Sequence, residues 1–380
     1  MNRFPSFLFI LYISSCLFFA CSEIDDGENE ANIPVDVTVL GRNSNSVFQV
    51  DIVEGTTTTY SNLTESLGVP FNGRLMDLNN YESLLGYHFP NLVDNGYTVW
   101  EKNIDTSIGT VYNGFCNETS IETPYFPQVA EDYITVFTAE LISTGNRMLN
   151  LRIFNKDLDL CSKTSIGIAD QFQLLTRLIV DDKILTYHFD SLGQAIITKI
   201  DLNTGAVEGQ LTFDSGGAAT VRNGRLYFYP NSGESSQATY DLATFQLIET
   251  TTFPVDPFLG TGLFKAEYLE NSILIDRNYV QPAMFSTFPA LLDQDTGDIL
   301  RLTDLGFINS NLISYLDSDL AIETSQTYSV DLDNFILVGS FILFNFDLTT
   351  IEYGIYYSKF DGTILGTVPI DFRADKVIIR

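Results

Sequence analysis

The chain has 380 residues, 45% hydrophobic and 13% aromatic with 29 Phe and 19 Tyr, which excludes a disordered polymer and leans toward strand. Its 20 Lys and Arg stand against 49 Asp and Glu, a formal charge of −29, and such a polyanion repels nucleic acid and anionic headgroups, so no nucleic-acid partner is expected. With two His and four Cys in the whole chain, a Cys/His zinc site is not expected either.

Met1-Asn2-Arg3 carries one positive charge and precedes an apolar run from Phe4 to Ala20 that ends at Cys21. This run of 17 residues is short for a spanning helix and right for the core of a signal peptide. The polar block Ser22 to Glu30 is acidic and holds no Lys or Arg, unlike the cationic flank of a stop-transfer helix, so export is expected. Removing residues 1–20 removes Arg3 and no acid, which leaves 19 Lys and Arg against 49 acids and a net charge of −30. The run resembles a bacterial lipoprotein signal, and the resemblance implies a lipidated Cys as the new N-terminus. Ile13-Ser14-Ser15-Cys16 fits the usual spelling better, whereas Leu17-Phe18-Phe19-Ala20-Cys21 has Phe18 where Leu is usual. Cys21 is nevertheless preferred for lipidation, because cleavage at Cys16 leaves an apolar core of only nine residues. Ser22-Glu23-Ile24-Asp25-Asp26 also resembles the acidic export signal of Bacteroidota lipoproteins, which implies an outer-membrane anchor facing the cell surface. Plain secretion after Ala20 is the alternative. Residues 21–34 then read as a flexible acidic tether and 35–380 as one domain.

Beyond residue 35, no stretch is read as keeping a helical apolar pattern over three turns. Instead, one apolar strand motif recurs at Leu84–Phe89, Ile134–Phe137, Ile184–Phe189, Leu226–Tyr229, Ile273–Ile275, Phe341–Phe346 and Val377–Ile379. Successive starts lie 50, 50, 42, 47, 68 and 36 residues apart. Around the copies sits a four-strand grammar, clearest in 174–213: Leu178–Val180, a turn at Asp181-Asp182, the strand 184–189, a third strand Ala195–Asp201, a turn at Asn203-Thr204-Gly205 and a fourth strand Val207–Phe213. Asn223-Gly224 is a strong hairpin signal in the next unit, and Asp241-Leu242-Ala243-Thr244 stands where Asp201-Leu202-Asn203-Thr204 stood. Asp293-Gln294-Asp295-Thr296-Gly297 and Asp361-Gly362-Thr363 repeat the turn, with the acid able to bond its own backbone.

Four-stranded antiparallel units of this length cannot bury both faces alone, and stacking them in a ring does so; the expected fold is all-β, a β-propeller of seven blades, with six or eight as alternatives and a β-sandwich pair or a right-handed β-helix as the other architectures open to such strands. Lys376–Ile379 reads as a second strand, and Val47–Thr57 as a third and fourth, so the two ends are expected to share one blade. Residues 306–330 are either an insertion or a degenerate blade. The Asp-x-x-Thr-Gly turns over about 170–370 resemble quinoprotein-like and YVTN-type propeller repeats. The quinone-cofactor dehydrogenases of that superfamily stack Trp rings between blades; here Trp100 is alone, so no cofactor is expected. In an oxidising compartment Cys116 and Cys161 are candidates for a disulfide.

Second-strand exits over the central channel supply the candidate ligand-binding residues His88, His188, Asp190, Asn231, Asp276, Arg277, Asn278 and Asn345. His is the commonest general base, yet both His recur in one Tyr-His-Phe context and read as strand-end hydrogen-bonding groups. Arg277 could anchor an anion, with a salt bridge to a neighbouring acid as the plainer role. Asp293, Asp295 and Asp298 form the weak calcium candidate; they lack the Asp-x-Asp-x-Asp-Gly order and read as a blade turn, as do Asp157/Asp159, Asp317/Asp319 and Asp331/Asp333. The expected function is a lipid-anchored binding or scaffold protein for a glycan, peptide or protein partner. The alternatives are a glycan- or peptide-degrading enzyme with a carboxylate-lined channel and an outer-membrane assembly lipoprotein.

Overall fold

Short runs of alternating side chains form strands here, and Gly, Asn and Asp supply the positive φ at the reversals. The computed structural model describes residues 33–380 apart from 44–45, 67–76, 82–83, 91–96, 107, 114–115, 117–121, 144–145, 170–174, 258 and 280–284. The signal segment, Cys16 and Cys21 lie outside the described residues. Ile33 and Val35 are buried, so the packed unit begins two residues ahead of the boundary expected at 35.

Seven sheets follow one another along the chain and make a seven-bladed β-propeller. Blade 2 holds Asp77–Tyr81, Leu84–Pro90, Tyr97–Asn103 and Gly109–Asn113, and blade 3 holds Glu122–Val129, Tyr133–Ser143, Asn146–Asn155 and Leu160–Ala169. Blade 4 comprises Thr176–Val180, Lys183–Phe189, Ala195–Asp201 and Val207–Phe213; blade 5 comprises Gly217–Arg222, Arg225–Pro230, Ser236–Asp241 and Leu247–Thr252. Blade 6 has Tyr268–Leu269, Ser272–Asn278, Thr287–Asp293 and Ile299–Arg301, and blade 7 has Ala321–Asp331, Ile336–Phe344, Ile351–Lys359 and Ile364–Ile370. Six copies of the recurring apolar motif are second strands.

Blade 1 closes the ring. Arg373–Ile379 pairs with Val37–Arg42, which pairs with Val47–Val53 and then Thr56–Asn62. Val39 is the hinge of this register, opposite Val377 on one side and Val50 on the other. The shared blade is therefore real, but the C-terminal segment is its first strand, not its second; Val37–Arg42 takes the second place. The two strands are adjacent apolar strands of one sheet, so the apolar pattern admitted either position. Phe372, buried and stacked on Phe48 at 5.3 Å, seals the joint.

The core lies between blades. Phe137, Leu149 and Leu151 of blade 3 pack with Ile184 and Ile200 of blade 4, and Leu185, Tyr187 and Ile197 of blade 4 pack with Ala219, Leu226 and Phe228 of blade 5. Polar staples also join neighbouring blades. Lys156 Nζ meets Glu101 Oε2 at 2.5 Å across blades 3 and 2, and Lys199 Nζ donates to the carbonyls of Leu242 and Ala243 at 2.9 and 2.7 Å across blades 4 and 5. Cys116 is joined to Cys161 on the outer strand of blade 3, with Cα atoms 5.2 Å apart.

Residues 305–316 correct the expectation of no helix. Leu305–Leu316 is an α-helix, capped by Asp304, whose carboxylate accepts the Gly306 and Phe307 N–H groups, and ended by Asp317 at φ 43°. Leu305, Ile308 and Leu312 are buried against blades 6 and 7. Asn309 interrupts that stripe in the sequence because it too is buried, accepting the Thr324 N–H at 3.0 Å, while Phe307, Ile313 and Tyr315 lie exposed on the other side. The wide 68-residue spacing is thus an insertion between blades 6 and 7.

Candidate functional site

In a four-stranded antiparallel meander the turns after strands 1 and 3 share one end, and the turn after strand 2 shares the other end with the links between blades. The acidic turns belong to the first end. Asp201, Asp241 and Asp293 each accept, at 2.8 Å, the N–H of the Thr three residues on. Lys183 and the Thr204 donors hold the Asp201 carboxyl down at about 2. In the calcium candidate, Asp293 is used by its own turn, Asp295 Oδ2 accepts Asn271 Nδ2 at 3.0 Å, and Asp298 accepts the Thr296 hydroxyl. Among the described residues no group of three His, Cys, Asp or Glu side chains comes together to hold a metal ion.

The second-strand exits serve different ends. His188 is fully buried in the wall of blade 4 and faces no channel. Neither ring nitrogen has a hydrogen-bond partner among the described residues, which corrects the expected strand-end bond. Burial pulls its pKa down to about 4 against the opposing charge of Asp190, so the ring is neutral near pH 7. The backbone of His88 pairs with Asp77 and Val99; its side chain lies outside the described residues. Asp190 and Asn345 close their own loops: Asp190 accepts the Leu192 and Gln194 N–H groups at 2.9 Å, and Asn345 bridges Thr349 and Thr350. Alternation along Ser272–Asn278 puts Arg277 on the side of buried Ile273 and Ile275, opposite Asp276. Arg277 has no ion pair among the described residues, so the salt bridge weighed for it does not form; Asn278 is exposed.

Asp276 lines a cavity of about 410 Å³, and Asn231 holds the link that walls it. Its walls are the blade 5 to blade 6 link at Leu259–Lys265 and Glu267, the second strand of blade 6 at Leu274–Asp276, and the first strand of blade 7 at Tyr328–Val330. The link makes this cavity. Gly262–Leu263 runs parallel to Gly217–Arg222 inside the innermost edge of blade 5, paired with Ala218 and Ala219. Leu263 N–H donates to Thr176 Oγ1 of blade 4 at 2.6 Å, and Asn231 Nδ2 holds Gly260 O and Thr261 Oγ1 at 3.1 and 2.7 Å. Gly262, at φ 113°, has no room for a side chain: a Cβ there would lie 2.6 Å from Thr176 Oγ1. On the far wall Tyr328 donates its hydroxyl to Asp276 Oδ1, and burial together with that carboxylate raises the Tyr328 pKa.

A larger recess of about 990 Å³ lies toward the other end and shares Lys265, Glu267, Ser329 and Val330 with the first. Burial raises the Glu267 pKa, with Lys265 opposing and Asp331 adding to the rise. Tyr328, Glu267, Lys265 and the link were missed as site residues. Their signal was present in the long Pro- and Gly-bearing stretch Phe253-Pro254 to Gly262, far longer than the blade 4 to blade 5 connection at Asp214–Gly216. Together these groups offer donors, acceptors and apolar wall around one open space, which suits recognition of a mixed polar and apolar segment.

No family model matches the chain, and no curated protein matches it. Similar solved structures include the β-propeller domain of the Trilobed protease from Pyrococcus furiosus, at 11% identity over 78% of this chain and 82% of that one, with a TM-score of 0.42. BamB from Moraxella catarrhalis matches at 12% identity over 87% and 93%, with a TM-score of 0.37, and the WD40 domain of SCAP from fission yeast at 8% over 91% and 87%, with 0.40. At such identities and scores they bear on nothing finer than the fold already read from the strand pairing.

Proposed function

We propose that this propeller is a lipid-anchored binding or scaffold protein of the cell envelope, exported, attached through Cys21 to the outer membrane and facing outward. Its partner is a protein, peptide or glycan segment held at the central cavity. The carrying observation is that cavity of about 410 Å³, walled on one side by the tied-down link at Leu259–Lys265 and on the other by the Asp276–Tyr328 pair. The link is fixed at both ends before any partner arrives, and preorganised donors and acceptors bind without an ordering cost.

Two measurements test this. A photo-crosslinking p-benzoylphenylalanine at position 276, in cells making the full chain, should give discrete adducts absent when the same group stands at the remote, exposed position 192. Identical patterns at both positions, or none at 276, would remove the cavity from the binding role. For the anchor, labelled palmitate should be incorporated by the unaltered chain and by Cys16→Ser but lost in Cys21→Ser. A Cys21→Ser chain that keeps the label would move the anchor elsewhere.

Glu267 favours a second reading, a hydrolase or lyase, because a carboxyl whose pKa is raised is the kind of group that serves as a general acid. In that case Glu267→Gln abolishes turnover of a peptide or glycan substrate while leaving its binding intact.

A further inference from the structure

A separate recess of about 420 Å³ opens between blades 5 and 6 at the end opposite the Asp276 loop, within the size range of small-molecule sites. It is framed by the turn Asn223-Gly224, the turn at Asn271 and the residues Gln294-Asp295. Among the described residues no aliphatic side chain lines it. Planar polar groups dominate instead: the guanidinium groups of Arg222 and Arg225, the amides of Gln237 and Gln294, and the Glu249 carboxylate, beside the ring of Tyr227.

These groups are held in place before any ligand arrives. Gln237 and Gln294 are only 3% and 5% exposed. Gln294 Nε2 donates to the Tyr229 hydroxyl at 2.8 Å and to Gln237 Oε1 at 3.5 Å, and Gln237 Nε2 donates to the Gln294 backbone carbonyl at 3.3 Å. Arg222 lies over the Tyr268 ring at 4.4 Å, and Asn271 is oriented by Asp295 at 3.0 Å. Arg225 and Glu249 are exposed and form no ion pair among the described residues. In a chain with 49 acids and 20 cations, two guanidinium groups here have no carboxylate partner.

The charges at the recess balance, two guanidinium groups against Glu249 and Asp295, so neither an anion nor a cation is favoured. A ligand matching this lining is neutral and rich in adjacent groups that both donate and accept. Sugar hydroxyls have that property, planar forks of Arg, Gln and carboxylate pair with neighbouring hydroxyls two at a time, and a Tyr ring covers the C–H face of the sugar. We propose that this recess binds a neutral hexopyranose. The site is distinct from the central cavity and does not depend on its role.

The test is saturation-transfer NMR on the full chain with the methyl glycosides of glucose, galactose and mannose. The expected result is transfer to the ring protons of at least one of them, with affinity lowered about tenfold or more in Arg225→Ala and in Glu249→Ala. Both residues are exposed, so their replacement leaves the core intact. Leu192→Ala, on the opposite end of blade 4, should leave the transfer unchanged. The proposal fails if none of the three glycosides receives transfer. It fails equally if both variants keep full affinity, or if inorganic phosphate binds in an Arg225-dependent way while the glycosides do not. Loss of sugar binding with intact crosslinking at position 276 would strike this site alone.

Discussion

His188 shows how a residue's surroundings override its reputation. Its imidazole is covered by Gly167 of blade 3, where an added Cβ would come within 2.8 Å of Nε2. A buried ring with both nitrogens unpaired resists protonation, and its pKa falls to about 4 from an ordinary value near 6.5. The sign follows directly. Between pH 6.5 and 4 the unfolded chain takes up a proton that the folded chain refuses, so the stability from this site is complete above 6.5, declines as pH falls, and levels off below about 4. His188→Leu should remove ~2–3 kcal/mol of the stability difference between pH 7.5 and 4.5, read from urea midpoints of the two proteins. Equal pH dependence in both proteins would show that the ring is not neutral when folded. The Tyr-His-Phe context was visible in the sequence, and so was the warning that a recurring His serves the repeat. The Gly167 contact was not, because it joins residues from different blades.

At the scale of elements, local chemistry was legible wherever a turn closes on itself. Asp201, Asp241 and Asp293 each bond the Thr three residues later, and these bonds need nothing from elsewhere in the chain. The helix Leu305–Leu316 was hidden for the opposite reason: its buried stripe includes Asn309, whose partner Thr324 lies in blade 7. Its first turn depends on Asp304, which also pairs with Arg301 at 2.5 Å. Asp304→Ala should cost about 1 kcal/mol in urea unfolding, the usual worth of an N-cap. An unchanged midpoint would mean that packing against blades 6 and 7 holds the helix without its cap.

The whole molecule depends on one seam. The C-terminal strand Arg373–Ile379 is the innermost strand of blade 1, and without it the paired edge of Val37–Arg42 is bare. A chain ending at residue 370 loses Phe372 and Val377 from the core, about 1.5–3 kcal/mol each, besides the strand hydrogen bonds. Calorimetry should then show a lower and broader transition than the full chain gives. A shortened chain that melts at the same temperature with the same sharpness would mean that the ring does not rely on this closure.

The amino-acid order alone determined the repeat, the four-strand unit, the turns and the sharing of a blade by the two ends, because each rests on alternation and turn chemistry among near neighbours. Tertiary structure alone decided which strand of the closing blade the C-terminus supplies, where the helix packs, and which polar residues meet in a cavity. Asn231 and Asp276 lie in different blades and serve one site only because the link that Asn231 holds, Leu259–Lys265, crosses the inner edge of blade 5. Contacts between blades depend on how the ring brings distant residues side by side, and no local pattern carries that information.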